Sequence, residues 1–301
     1  MSDSGRRMSR RELLQSGATW TAAGLFGLSR RAAASERSSR VVLIRHRDVI
    51  GAGRHPDEQI LHRMLNESVI RLLDAENPGA AWRQLISPGD VVGIKSNVWR
   101  QLPTPPELER AIVEEVVAAG VSTQDVSVDD RGVLSNAVFE RALARPNGAL
   151  INVRPMRTHH WSGLGTCLKN MIMFVPRPAD YHDDACARLG ELWKELGLAE
   201  KTRLNILVML TPQFHGVGPQ SFSPRFVWPY RGLIVGTDPV AVDATGARII
   251  EAKRREFFGE ERPIKPPPHH IGLADTRYGL GVADPARIEI VRLGWREEEL
   301  I

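Results

Sequence analysis

Val91-Val92-Gly93-Ile94-Lys95-Ser96-Asn97 decides how this chain reads. Four apolar residues with no polar alternate are the pattern of a strand buried on both faces. Lys95 and Asn97 follow at once, at the carboxyl end of that strand. The pattern recurs at residues 41–44 and 232–235, and further strands, largely apolar, are expected at 126–128, 149–153, 205–210 and 288–291. Helical segments alternate with these strands. Residues 57–73 carry Ile60, Leu61, Met64, Leu65, Val69 and Leu72 at helical spacing. Thr104-Pro105-Pro106-Glu107 reads as a helix start, with Thr104 as N-cap, Pro105 in the first turn and Glu107 closing a capping box. That helix runs to Ala119, and Gly120 ends it. Further helices are expected over 135–144, 186–197, 239–257 and 269–276, and irregular chain over 154–185. Continuous apolar strands between helices predict an α/β fold: a mainly parallel sheet with helices on both faces, as a single large domain over residues 41–301. Ligands of such sheets bind at the carboxyl ends of the strands.

The chemistry-bearing residues collect at those ends. Lys95 offers a point charge for a carboxylate or phosphate, and Asn97 adds a donor and an acceptor. Asp129 and Asp130 follow the next strand. They suit a metal or a general base, and equally the capping of a turn. The densest cluster is Arg157-Thr158-His159-His160-Trp161-Ser162-Gly163-Leu164-Gly165-Thr166-Cys167-Leu168-Lys169-Asn170. Its Gly-rich turn around Gly165 and Thr166, leading into a short helix, would offer backbone N–H groups to an anion, with Lys169 and Asn170 one turn inside. His159 would move a proton or bind a metal, and neighbouring histidines in extended chain should point to opposite sides. His215 follows the most apolar strand. A set of His159, His215 and Asp130 is the candidate for a divalent metal. Asp238 precedes Pro239 as a helix N-cap, and Asp243 lies among Val240, Ala241, Val242 and Ala244. A carboxylate buried there needs a partner, which Lys95 or Lys169 would supply.

The N-terminus carries an address. Ser9-Arg10-Arg11-Glu12-Leu13-Leu14-Gln15 precedes an apolar run over 17–28, and Ala32-Ala33-Ala34 offers a cleavage site. This order predicts a twin-arginine export signal over residues 1–34, a linker over 35–40 and a periplasmic or otherwise extracytoplasmic protein that engages the twin-arginine translocation machinery. Of the 40 basic and 36 acidic residues, six and two fall within residues 1–34, which leaves 34 of each. That balance speaks against nucleic-acid binding. Cys167 and Cys186 are the two cysteines, too few for an iron–sulfur cluster within one chain, and they read as buried thiols. Gly51-Ala52-Gly53 lacks the third glycine of a dinucleotide fingerprint, and no Walker A, G-x-S-x-G or H-E-x-x-H motif occurs.

Taken in order, several of these pieces resemble one family, the domain of unknown function 362. They are Gly93 to Asn97, Thr104 to Glu107, His159 to Asn170, Gly216-Val217-Gly218-Pro219, and Asp238-Pro239-Val240-Ala241-Val242-Asp243. The likeness extends over residues 41–291. It implies an α/β fold and points to Lys95, Asn97, His159, Lys169, Asn170, Asp238 and Asp243. Family members often carry twin-arginine signals, and many add a ferredoxin-like cysteine cluster that this chain lacks. The expected function is an exported enzyme acting on a small anionic substrate. Lys95, Lys169, Asn97, Asn170, Thr166, Gly165 and Asp238 would surround the anion, His159 would move a proton and Asp243 would orient a lysine. The alternative is a non-catalytic periplasmic ligand- or metal-binding protein.

Overall fold

A computed structural model describes residues 37–51, 55–216 and 221–301. The expected signal, Ala52 and Gly53, and Val217 to Pro219 lie outside the described residues. Strands run over Ser39–Arg45 (β1), Val91–Lys95 (β2), Val126–Asp129 (β3), Gly148–His159 (β4), Gly163–Gly165 (β5), Thr202–Gln213 (β6), Gly232–Gly236 (β7) and Ile288–Gly294 (β8). They form one sheet in the order β3-β2-β4-β6-β7-β1-β8, with β5 paired to β4. The pairs β3/β2, β2/β4, β4/β6 and β1/β8 are parallel. Strand β7 runs antiparallel to both its neighbours. The α/β, mainly parallel sheet is therefore present, with one reversed strand inside it.

Alternation along each strand sorts the apolar residues onto two faces. Val42, Ile44, Val92, Ile94, Ile206 and Val208 pack with the helices Glu58–Leu72 (α1), Pro78–Leu85 (α2) and Pro106–Ala118 (α3). Val41, Leu43, Leu150, Met156, Leu207 and Met209 face Ala137–Ala144 (α4), Cys167–Asn170 (α5), Leu189–Glu195 (α6), Pro239–Phe258 (α7) and His269–Thr276 (α8). Helices thus cover both faces.

Local signals explain most boundaries. Asp57, Asn77, Asn136 and Asp238 each cap the helix that follows by accepting a backbone N–H. Helix α2 is absent from the sequence reading, although Asn77-Pro78 is a cap followed by a first-turn proline. The expected cap at Thr104 is displaced: Pro105 is the N-cap, and the Thr104 hydroxyl accepts from the Asn97 amide instead. The expected irregular stretch from residue 154 is also corrected. Strand β4 continues to His159 because β5 and β6 both pair with its end. The expected linker is shortened, since β1 begins at Ser39.

Asp238 anchors the amino ends of β1 and β6. Gly236 pairs with Asn205 near the start of β6, so α7 begins at the amino ends of the parallel strands. The Asp238 carboxylate accepts from Val240 and Ala241 at 2.8 and 3.1 Å, from Val282 at 2.9 Å, and from the Ser39 hydroxyl. Asp238→Ala removes the cap and strands the Val282 amide. A loss of about 2–4 kcal/mol is expected, measured as a lower urea midpoint at unchanged slope.

Candidate functional site

Strand β4 overshoots its neighbour. Lys95, the last residue of β2, pairs with Asn152, and β4 continues from there to His159. Alternation places Lys95, Asn152, Arg154 and Asn205 on the face that carries Leu150, Met156 and Leu207. Helix α5 lies over this face, and its last residue, Asn170, joins the polar groups. Asn170 Nδ2 donates to the Lys95 carbonyl at 3.2 Å, the Asn152 side chain at 2.9 Å and the Val153 carbonyl at 3.2 Å. Its Oδ1 lies 3.4 Å from Asn97 Nδ2 and Arg154 Nη1 and 3.5 Å from Lys95 Nζ. Asn152 in turn donates to the Cys167 carbonyl and to Asn205, both at 3.0 Å. Asn205 reaches the Thr237 carbonyl at 3.2 Å. A chain of asparagines thus crosses the core and holds β2, β4, β6 and α5 in register.

The position of α5 is set by Asp243. Its oxygens accept from the amides of Cys167 and Leu168, each at 2.8 Å. These are the orphan donors of a helix start. Burial pushes the Asp243 carboxyl up to about 7, against the opposing pull of the Thr166 hydroxyl and the two amides. The sequence reading gave those amides to an external anion and gave Asp243 a lysine. Both expectations are corrected: the protein's own carboxylate occupies the helix start, and Thr166 is buried beside it. Gly165 is a matter of space, since a Cβ there would lie 2.8 Å from Arg154 Nη2. At Gly163, φ is +72° and a Cβ would meet the Pro266 carbonyl at 2.2 Å, so the turn needs glycine.

Lys95 is fully buried and finds its counter-ion in Asp130, 2.5 Å from Nζ. Burial pulls the lysine down to about 8, with Asp130 opposing. Burial alone would raise Asp130, but the Lys95 charge, its hydrogen bond and the Val98 amide at 2.9 Å together hold the carboxyl below its ordinary value. Asp130 is therefore committed to Lys95. Asp129 caps a turn, accepting from the Gly132 amide at 2.8 Å and from Asn136 at 3.1 Å.

Three further cations share the site: Arg154, Arg157 and Lys169, all buried. Among the described residues none of them pairs with a carboxylate. Arg154 Nε and Arg157 Nε have no acceptor, and the Arg157 guanidinium lies 4.1 Å from the centre of the Trp99 ring. Alternation would send Arg154 and Arg157 to opposite faces, but the register of β4 against β6 breaks between Pro155 and Arg157, and both line one cavity. Burial, followed by Arg154, disfavours the Arg157 charge. Lys169 is pulled down to about 7 by burial first, with Arg154 and Arg157 adding to it and the Cys186 thiol opposing.

The cavity has a volume of about 410 Å³. Asn97, Asp130, Arg131, Arg154, Arg157, His159, Lys169 and Asn170 line it with Trp99, Trp161, Ile172, Met173, Pro178 and His182. His159 Nδ1 accepts from the Trp161 amide at 3.2 Å, which leaves Nε2 as the protonated nitrogen. Burial, then Arg157, Arg154 and Lys169, keep this imidazole neutral. In this setting it is a hydrogen-bond donor and a poor base. His159 and His160 do not diverge as expected: the chain turns after His159, and the rings stack with centroids 4.7 Å apart. His182 stacks on Trp161 at 3.9 Å, and burial pulls it down to about 4.

Lys95, Asn97, Asp130, His159, Lys169 and Asn170 thus come together as expected, while Asp238 and His215 do not. Asp238 lies just past Gly236, beside the start of β6, and does not line the cavity. His215 lines a separate cavity of about 550 Å³ and sits 3.1 Å from Arg254. Arg254 is satisfied there by the carbonyls of Phe214, Arg262 and Pro263. His159, His215 and Asp130 therefore do not converge, and among the described residues no three His, Cys, Asp or Glu side chains are placed to hold a metal. Cys167 and Cys186 are buried free thiols. Sequence reasoning misses Arg154, Trp99 and His182 altogether and assigns no role to Arg157. The available signal was a pair of arginines just past an apolar strand.

A protein-family model described as Domain of unknown function (DUF362) matches residues 53–248, from the loop after β1 into α7. The chain belongs to this family. No curated protein and no solved structure matches it.

The folded value of about 7 for Lys169 lies below the unfolded value of roughly 10.4. Between those values the unfolded chain binds more protons, so this lysine makes stability rise with pH across the window and fall as pH drops through about 7. Lys169→Met should remove that component. Its stability relative to the parent should decline by up to about 1.4 kcal/mol per pH unit between pH 7.5 and 9.5. Urea unfolding of both proteins at three pH values checks this, and a constant difference would contradict the burial of an uncharged lysine.

Proposed function

We propose that this protein holds a small anionic substrate in the cavity at the strand carboxyl ends and moves a proton on it. The observation that carries this reading is the set of three buried cations without a carboxylate partner. Burying an unpaired charge costs several kcal/mol, and an anion that enters the cavity would remove that cost. Arg154 and Arg157 would hold the anion, with His159 Nε2 and Asn97 as further donors. Lys169, pulled down to about 7, is the group whose proton is exchangeable near neutrality. The Lys95–Asp130 pair and Asn170 fix the floor on which these groups sit.

An anion beside Lys169 raises its pKa, so binding at pH 8 should draw a proton from buffer. Titration calorimetry of the full chain with inorganic phosphate and small carboxylates, in two buffers of different ionisation enthalpy, measures that uptake directly. Arg154→Met should lower affinity by about 10–100-fold, the equivalent of a lost charge-assisted hydrogen bond. Lys169→Met should bind with no proton uptake. If Arg154→Met binds as the parent does, the anion does not sit on these cations. If Lys169→Met retains full turnover on whatever substrate is found, another group moves the proton.

We also propose that the protein works outside the cytoplasm, delivered folded through the twin-arginine route. The order of Arg10-Arg11, the apolar run and Ala32-Ala33-Ala34 supports this. Replacing Arg10 and Arg11 with lysine should retain the protein in the cytoplasm at its unprocessed mass. Export of that variant would overturn the assignment.

A further inference from the structure

The walls of the cavity point to a narrower class of anion. We infer that the ligand is amphiphilic: an anionic head on Arg154, Arg157 and Lys169, joined to an apolar or aromatic extension that lies along the mouth. This rests on the anion-binding reading above. Its own support is the distribution of exposed apolar side chains. Among the described residues the exposed large hydrophobics are Val98 at 51%, Leu134 at 55%, Trp161 at 46% and Phe257 at 38%. The first three lie on the loops that follow β2, β3 and β4, past the carboxyl ends of those strands. Val98 is flanked by Asn97 and Trp99, and Trp161 lines the cavity itself.

The interior continues the same division. The cations occupy the floor beside β4, while Ile172, Met173 and Pro178 add an apolar wall. A volume of about 410 Å³ lies in the range of pockets that enclose drug-sized ligands. A bare phosphate or acetate would fill only a small part of it. Trp161, exposed and lining the cavity, makes with Ile172, Met173 and Pro178 an apolar surface of the kind a ligand covers. The charge below them says which end of the ligand goes in first.

Alkyl phosphates and alkyl carboxylates test this, used as monomers below their aggregation concentrations. Affinity of the full chain is measured for inorganic phosphate, then for butyl, hexyl and octyl phosphate and the matching carboxylates, with octyl glucoside as the neutral molecule of equal tail. Affinity is expected to rise about fourfold per methylene over the first several carbons, and octyl glucoside is expected not to bind. The double variant Trp161→Ser, Met173→Ser, in the apolar wall, should lose the gain from the longer tails and keep the affinity for inorganic phosphate. Equal affinity for phosphate and octyl phosphate overturns the inference and leaves the anion site standing. Octyl glucoside binding as tightly as octyl phosphate overturns it as well, by showing that the tail alone is recognised. If neither phosphate, carboxylate nor any alkylated form binds, the anion reading fails and this inference with it.

Discussion

Two hydrogen bonds from the amides of Cys167 and Leu168 to the carboxylate of Asp243 set the geometry on which the rest depends. Asp243 lies fully buried in a long helix, where a carboxylate needs strong donors. A four-residue helix cannot hold itself together, and this one is clamped from outside at its start. The clamp places Lys169 and Asn170 over the end of β2. Because the helix start is already occupied by a carboxylate, any external anion must be held by side chains.

Those side chains are supplied by an unequal partition of charge. Three buried basic side chains, Arg154, Arg157 and Lys169, line one cavity with Lys95 beneath it, and among the described residues Asp130 is the carboxylate that lines it with them. Asp130 is spent on Lys95, which leaves Arg154, Arg157 and Lys169 with no counter-ion. The arrangement is tolerable for guanidinium groups because they are weakly hydrated and can lie on aromatic faces, as Arg157 does on Trp99. It is less tolerable for an ammonium, and Lys169 responds by losing affinity for its proton. The same burial that makes an unpaired charge costly tunes Lys169 toward neutral pH.

Much of this was legible in residue order. Val91 to Ile94 followed by Lys95 and Asn97 identified both a buried strand and a polar group at its end, since a run of that length without polar alternates has few other uses. Asp238-Pro239 and the prolines before His269 marked helix starts that the structure reproduces, because a cap and a fixed φ act over one turn. Thr104 looked equally good as a cap. Its hydroxyl was claimed by the Asn97 amide seven residues back, a loop contact that local pattern cannot rank against a cap. The stretch after residue 154 read as irregular because glycine, proline and histidine crowd it. Pairing with β5 and β6 nonetheless holds its first part as strand.

The sequence by itself determined the α/β class, the apolar strands, most helix starts, and five of the residues that line the cavity, because each depends on pattern within a few residues. The tertiary structure alone decided which charges are paired. Lys95 found Asp130 35 positions away, and Asp243 found backbone amides 75 and 76 positions away instead of a lysine. It also decided that Asp238 lies outside the cavity, since β7 runs antiparallel to β6 and ends beside its start. Arg154 and Arg157 share a cavity only because the register slips between them. Electrostatic partners are chosen by distance in space, and distance in space follows from strand order, direction and register, which no local pattern encodes.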